Sequence, residues 1–120
     1  MLPLLKRAPK RLAKSFGYCW DGLKAMFRKE ESFRLETIAF CILLLVLIAC
    51  PWPIWKKLFL LGSYLLIPFA ELVNSAIEDV CDLVTREQSP YVKTAKDKGA
   101  LAVLFAIIIN AFVLVALILV

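Results

Sequence analysis

No charged side chain occurs between Thr37 and Trp55, or again between Gly99 and Val120, and runs of that length leave a chain few ways to fold. About 20 apolar residues in a helix cross the hydrocarbon core of a bilayer, and backbone groups inside that core must be satisfied within the helix itself. A third run, Leu58 to Ala70, is too short to cross alone, so its helix must continue through Glu71 and Glu78 towards about residue 85. The reading is an all-α membrane protein with three transmembrane helices, at about residues 31–50, 54–85 and 91–120, in one membrane domain. The 62% hydrophobic content exceeds what a soluble core of this size requires. Pro51 and Pro53 end the first span, Trp52 and Trp55 suit an interfacial belt, and Lys56 and Lys57 suit the outer headgroups.

The second span carries polar groups where lipid tolerates few. Glu71, Asn74, Ser75, Glu78 and Asp82 follow one another at intervals of three or four residues and therefore share one helix face. An ionisable group inside a membrane helix costs roughly 2.5 kcal/mol or more, so this face must look onto something sheltered, and its acids are a candidate site. Pro68 predicts a mild kink just ahead of Glu71. Asn110, the one strongly polar side chain of the last apolar run, reads as a helix-to-helix hydrogen-bonding residue.

The net charge of +5 describes an orientation. Most basic residues precede residue 35 or lie among Arg86, Lys93, Lys96 and Lys98, which puts the N-terminus and second loop on the cytoplasmic side. The basic residues then meet acidic headgroups, and no nucleic-acid partner is expected. Residues 1–29 interleave Lys6, Arg7, Lys10, Arg11 and Lys14 with Leu12, Phe16, Tyr18, Trp20, Leu23 and Phe27. That pattern reads as an amphipathic surface helix starting near Pro9 and loosened at Gly17, not as a cleavable leader. Cys19, Cys41, Cys50 and Cys81 form no CxxC pair and are assigned no chemistry, and with no histidine any acid-base work falls to carboxylates or lysine.

Sorted by depth, Arg11, Glu30, Arg34, Glu36, Glu71, Glu78, Asp82, Lys96 and Asp97 form a ring at the cytoplasmic side. Three readings of it stay open: salt-bridge packing of an oligomer, a cation-phosphate site and ion conduction. Mg²⁺ suits the second, because it takes one or two protein carboxylates and completes its shell with phosphate and water. The four glycines form neither a GxxxxGK[ST] nor a GxGxxG loop, so a bound nucleotide would be held by side chains and metal.

The run Glu71-Leu-Val-Asn74-Ser75-Ala76-Ile-Glu78-Asp-Val-Cys-Asp82, followed by Ala95-Lys96-Asp97-Lys98-Gly99, resembles the signature of the bacterial integral-membrane diacylglycerol kinases. Gly17-Tyr18-Cys19-Trp20-Asp21-Gly22-Leu23-Lys24-Ala25 and the block from Glu30 to Glu36 are similar to that family as well. The resemblance implies a homotrimer in the bacterial inner (cytoplasmic) membrane, with N-terminus and active site cytoplasmic, transferring the ATP γ-phosphate to a lipid alcohol for phospholipid recycling. It implies Glu71 as the base, Asn74 as an organiser of the centre, and Glu30 and Glu78 as ligands of Mg²⁺. Arg11, Tyr18, Glu87, Lys96 and Asp97 would join Glu30 and Glu78 around the nucleotide. The lipid side would comprise Arg11, Ser32, Arg34, Glu36, Trp52, Glu71 and Ala100. Ala100 departs from the hydroxyl residue frequent in relatives, and Cys81 from an aliphatic one. The expected acceptor is diacylglycerol, giving phosphatidic acid. The alternatives are undecaprenol on the same machinery, or a non-catalytic scaffold or proton-conducting oligomer.

Overall fold

The computed structural model describes all 120 residues and is helical throughout. Its elements are α1 (Leu2–Lys29), α2 (Glu31–Ala49), α3 (Ile54–Tyr64), α4 (Leu66–Val84) and α5 (Pro90–Leu119). Three stretches are long and apolar enough to cross a membrane: Glu31–Ala49, Ile54–Val84 and Pro90–Leu119. Buried residues make up only 11% of the most apolar part of the first and third and 28% of the second. Most of this apolar surface must therefore meet lipid or other chains, since it is not covered from within.

The chain divides into two compact units, Met1–Leu35 and Glu36–Val120. In the first, α1 begins at Leu2 and runs straight through Pro9, so the expected start near Pro9 is corrected. A proline in an exposed helix forfeits one intrahelical bond, but water can serve the freed carbonyl. The α1 C-terminus is closed by the Glu30 N–H donating to the Met26 carbonyl at 2.9 Å. It is closed again by the Arg34 guanidinium, which donates to the Phe27 carbonyl at 2.8 Å and the Arg28 carbonyl at 3.3 Å. A cation on the last carbonyls suits the negative end of the helix dipole. Phe27 and Phe33 meet edge to face, with centroids 5.1 Å apart.

In the second unit, α2 stops ahead of Pro51, and Pro53 caps α3. The second span is interrupted once, at Leu65, which keeps right-handed helical torsions (φ −62°, ψ −17°). The cause is Pro68, whose missing N–H leaves the carbonyl of Tyr64 without its helical partner. The ladder thus misses one bond, at the Tyr64 carbonyl, while Leu65 keeps both of its own, to the Leu61 carbonyl at 3.1 Å and from the Phe69 N–H at 3.2 Å.

α5 returns antiparallel to α3 and α4 in a constant register. Lys56 Nζ donates to the Leu117 carbonyl at 3.0 Å, and Asn110 Nδ2 donates to Ser63 Oγ at 2.9 Å. Ile67 and Ala70 pack on Ala106, and Asn74 sits against Gly99. Each step forward along one helix is matched by an equal step back along the other. At the far end Leu47, Leu60 and Leu117 form a second apolar cluster with Trp52, and Lys56 lies 5.5 Å from the Trp52 ring centroid. α5 starts where Ser89 Oγ accepts from the Tyr91 N–H at 3.3 Å and Pro90 fills the first helical position.

Candidate functional site

The polar face of α4 is where the helices place most of the expected residues. Ser75 is buried, while Glu71, Asn74 and Glu78 are half-buried on the same side of the helix. Asn74 is held between two neighbours. Its Nδ2 donates to Glu78 Oε1 at 3.4 Å, one turn along, and its Oδ1 is buried against Gly99 with no hydrogen-bond partner. Gly99 is required by this approach, since a Cβ there would overlap the Asn74 amide oxygen.

Glu36, from the second turn of α2, stands beside Glu71, close enough for the two carboxyl groups to interact. Glu36 Oε2 is buried and has no donor among the other side chains. The backbone behind it is tied down by Tyr64, whose hydroxyl donates to the Glu36 carbonyl at 2.7 Å.

Beyond the end of α4 lies a groove of about 750 Å³, lined among others by Asp82, Arg86, Glu87, Lys93 and Lys96. Lys96 Nζ donates to Asp82 Oδ1 at 2.8 Å, joining α5 to α4. Lys93 Nζ pairs with Asp97 Oδ2 at 2.5 Å along the exposed side of α5. Two of the residues expected around a nucleotide, Glu87 and Lys96, line this groove, and Asp97 borders it through its pairing with Lys93. From sequence, Arg86 and Lys93 served only to orient the chain and were not expected in the site. Their signal was a basic loop of ordinary composition, indistinguishable from a solvated surface until the chain around Thr85 and Pro90 is folded.

Not every expected residue joins these groups. Trp52 packs with Leu60 and Leu117 at the opposite end of the bundle. With helix rising about 1.5 Å per residue, that end lies roughly 25 Å from Glu71. Ala100 is exposed on α5 beside Gly99. Within the first unit Arg11, Tyr18 and Ser32 are exposed, Glu30 is half-buried at the α1 terminus, and the Arg34 guanidinium is engaged by the two carbonyls of α1. No three cysteines or carboxylates in the chain gather closely enough to form a self-contained metal cage. That donor set still fits Mg²⁺ in a phosphate complex, which asks for one or two carboxylates and no more.

Three membrane-length helices with an amide, several carboxylates and a basic groove gathered towards one end define a small membrane protein with a polar face at the edge of its apolar region. The sequence profile of the prokaryotic diacylglycerol kinases matches residues 17–119, and the chain belongs to that family. It is accordingly a lipid kinase. The diacylglycerol kinase of Escherichia coli (strain K12) is 41% identical over 105 residues, covering 82% of this chain and 81% of that protein. The Helicobacter pylori (strain J99) diacylglycerol kinase is 37% identical over 106 residues, 87% of this chain and 81% of its own length. The Haemophilus influenzae diacylglycerol kinase is 33% identical over 102 residues, 85% and 86% respectively.

Proposed function

We propose that this protein transfers the γ-phosphoryl group of ATP to the primary hydroxyl of diacylglycerol, giving phosphatidic acid and ADP. The observation that carries the reading is the Glu36–Glu71 pair, with its unserved buried oxygen, one to two turns from the Asn74–Glu78 contact and about three turns from the start of the basic groove at Asp82. Glu36 Oε2 lacks a donor, and a lipid hydroxyl is a donor. Glu71 takes the proton as the lipid oxygen attacks the γ-phosphorus; the bond to the β-phosphate oxygen breaks, and ADP leaves. Phosphoryl transfer asks little covalent chemistry of a protein, so the remaining side chains act by position and charge.

Lys96, Asp97, Glu87, Arg11 and Tyr18 hold the nucleotide, with Arg86 and Lys93 adding positive charge to the groove. Asn74 keeps the Glu78 carboxylate turned towards the phosphates, and Ser32 and Arg34 border the lipid headgroup. Trp52, at the other end of the bundle, is suited to the far end of an acyl chain. Ala100 offers the lipid a methyl group only. Glu30 and Glu78 are the residues that would hold Mg²⁺, which when bound would neutralise phosphate charge.

The assembly in this reading is a homotrimer in the bacterial inner membrane with N-terminus and site cytoplasmic. Support comes from the apolar side chains of α2 and α5 left uncovered within one chain, Ile38, Ile42, Phe105 and Phe112 among them. It also comes from the basic residues gathered at the N-terminus and second loop. α1 lies on the membrane surface as an amphipathic helix, its exposed Phe16 and Trp20 dipped among acyl chains and its lysines and arginines among headgroups.

Purified protein given labelled ATP with diacylglycerol or with undecaprenol, Mg²⁺ omitted from a parallel sample, tests the reading. Diacylglycerol is expected to be labelled faster, only with Mg²⁺ present, and Glu71→Gln is expected to abolish labelling while the protein still assembles. Faster labelling of undecaprenol would change the acceptor, and full turnover by Glu71→Gln would remove Glu71 as the base.

A further inference from the structure

We propose that Tyr64 is a positioning residue: by anchoring the backbone of Glu36, its hydroxyl sets where the Glu36 carboxyl stands against Glu71. The inference rests on the acceptor-side reading of that pair. Near its start, Tyr64 grips α2 twice, one helical turn apart. The hydroxyl donates to the Glu36 carbonyl at 2.7 Å, and the ring lies tilted on Phe40 with centroids 5.5 Å apart. Towards the other end of α2, Leu47 packs on Leu60 and Leu117. A contact between apolar side chains slides at little cost, whereas a hydrogen bond in apolar surroundings is directional and has no water to replace it. Rotation of α2 about its axis, which would carry the Glu36 carboxyl off Glu71, is therefore resisted chiefly by the Tyr64 hydroxyl.

The grip is useful only if Tyr64 is itself fixed. It packs against the Ile67, Ala70 and Ala106 cluster. The preceding residue, Ser63, receives the Asn110 amide at 2.9 Å and donates to the Leu60 carbonyl at 2.9 Å. The carbonyl of Tyr64 itself is the one that Pro68 leaves without a helical partner, and α3 ends there. Tyr64 thus closes the rigid α3 segment, and from it one hydroxyl reaches across to the backbone of a residue in the reaction centre. No feature of the α4 polar face points to it from sequence, because it belongs to the apolar stretch ahead of that face.

Tyr64→Phe keeps the ring on Phe40 and removes only the hydroxyl. Steady-state kinetics of the purified enzyme are expected to show kcat reduced about fivefold to tenfold with KM for ATP unchanged, since the nucleotide groove is untouched. A double-mutant cycle adds the second readout. In Glu36→Asp the shortened carboxyl no longer reaches Glu71, so adding Tyr64→Phe should cost nothing further. Unchanged turnover in Tyr64→Phe, a rise in KM for ATP matching the fall in kcat, or a full multiplicative penalty on the Glu36→Asp background would each overturn the proposal. Glu71→Gln assayed beside them separates the two failures. If it is inactive while Tyr64→Phe is normal, only the role of Tyr64 is lost; if it is fully active, the acceptor-side reading is lost as well.

Discussion

Replacing Gly99 by alanine builds a methyl group into space held by the Asn74 side chain. The new Cβ would lie 3.2 Å from Asn74 Cγ and 3.6 Å from its Cα, with the amide oxygen closer still. The Cα distance is ordinary van der Waals contact, so α4 and α5 need not part; the amide has to turn away by on the order of 1 Å. Turning it relieves most of the overlap, leaving a strain at the low end of the usual range, about 1 kcal/mol. It also breaks the Asn74–Glu78 hydrogen bond, which at 3.4 Å is long and is worth no more than about 1 kcal/mol. Alanine returns about 1 kcal/mol through its better helix propensity. The net loss of stability is therefore about 1 kcal/mol. The catalytic loss should be larger, because displacing a positioned group by about 1 Å can cost on the order of 100-fold, equivalent to about 2.7 kcal/mol. Initial rates at saturating ATP and lipid, measured with thermal unfolding in the same detergent, read both quantities. In the double variant Asn74→Ala with Gly99→Ala the methyl has room, so stability should match Asn74→Ala alone and activity should stay at that variant's level. Undiminished turnover by Gly99→Ala would show that the placement of Asn74 is immaterial, and a chain that no longer folds would show that the contact is a helix-packing constraint first.

Two further outcomes follow from the same geometry. Lys96→Met removes a cation from the groove and should raise KM for ATP about tenfold or more, yet shift the unfolding midpoint little. Its bond to Asp82 joins two largely exposed groups, and such pairs contribute about 0–1 kcal/mol; nucleotide titration followed by tryptophan fluorescence checks this. Asn110→Leu should lower stability by about 0.6 kcal/mol and at most about 1.7, because Ser63 keeps its bond to the Leu60 carbonyl, as chemical denaturation in detergent would show.

The helices themselves were legible in the order of residues. Uncharged runs of membrane length can form little but spanning helices, and residues three or four apart on a helix share a face whatever surrounds it, so Glu71, Asn74, Ser75 and Glu78 were placed together without a fold. The family could be read from the same stretch. Local chemistry was less decisive at Pro9, which lies inside α1 and does not start it.

Contacts between helices were decided by the tertiary structure. Periodicity states which side of a helix is polar, but the register and rotation of its neighbours are properties of the packed whole. The return of α5 in step with α3 and α4 presses Gly99 onto Asn74 and joins Asn110 to Ser63. The rotation of α2 brings Glu36 to Glu71 and puts its backbone under the Tyr64 hydroxyl. A linear chain lists the charged and polar groups; only the packing of separate helices decides which of them meet at bonding distance.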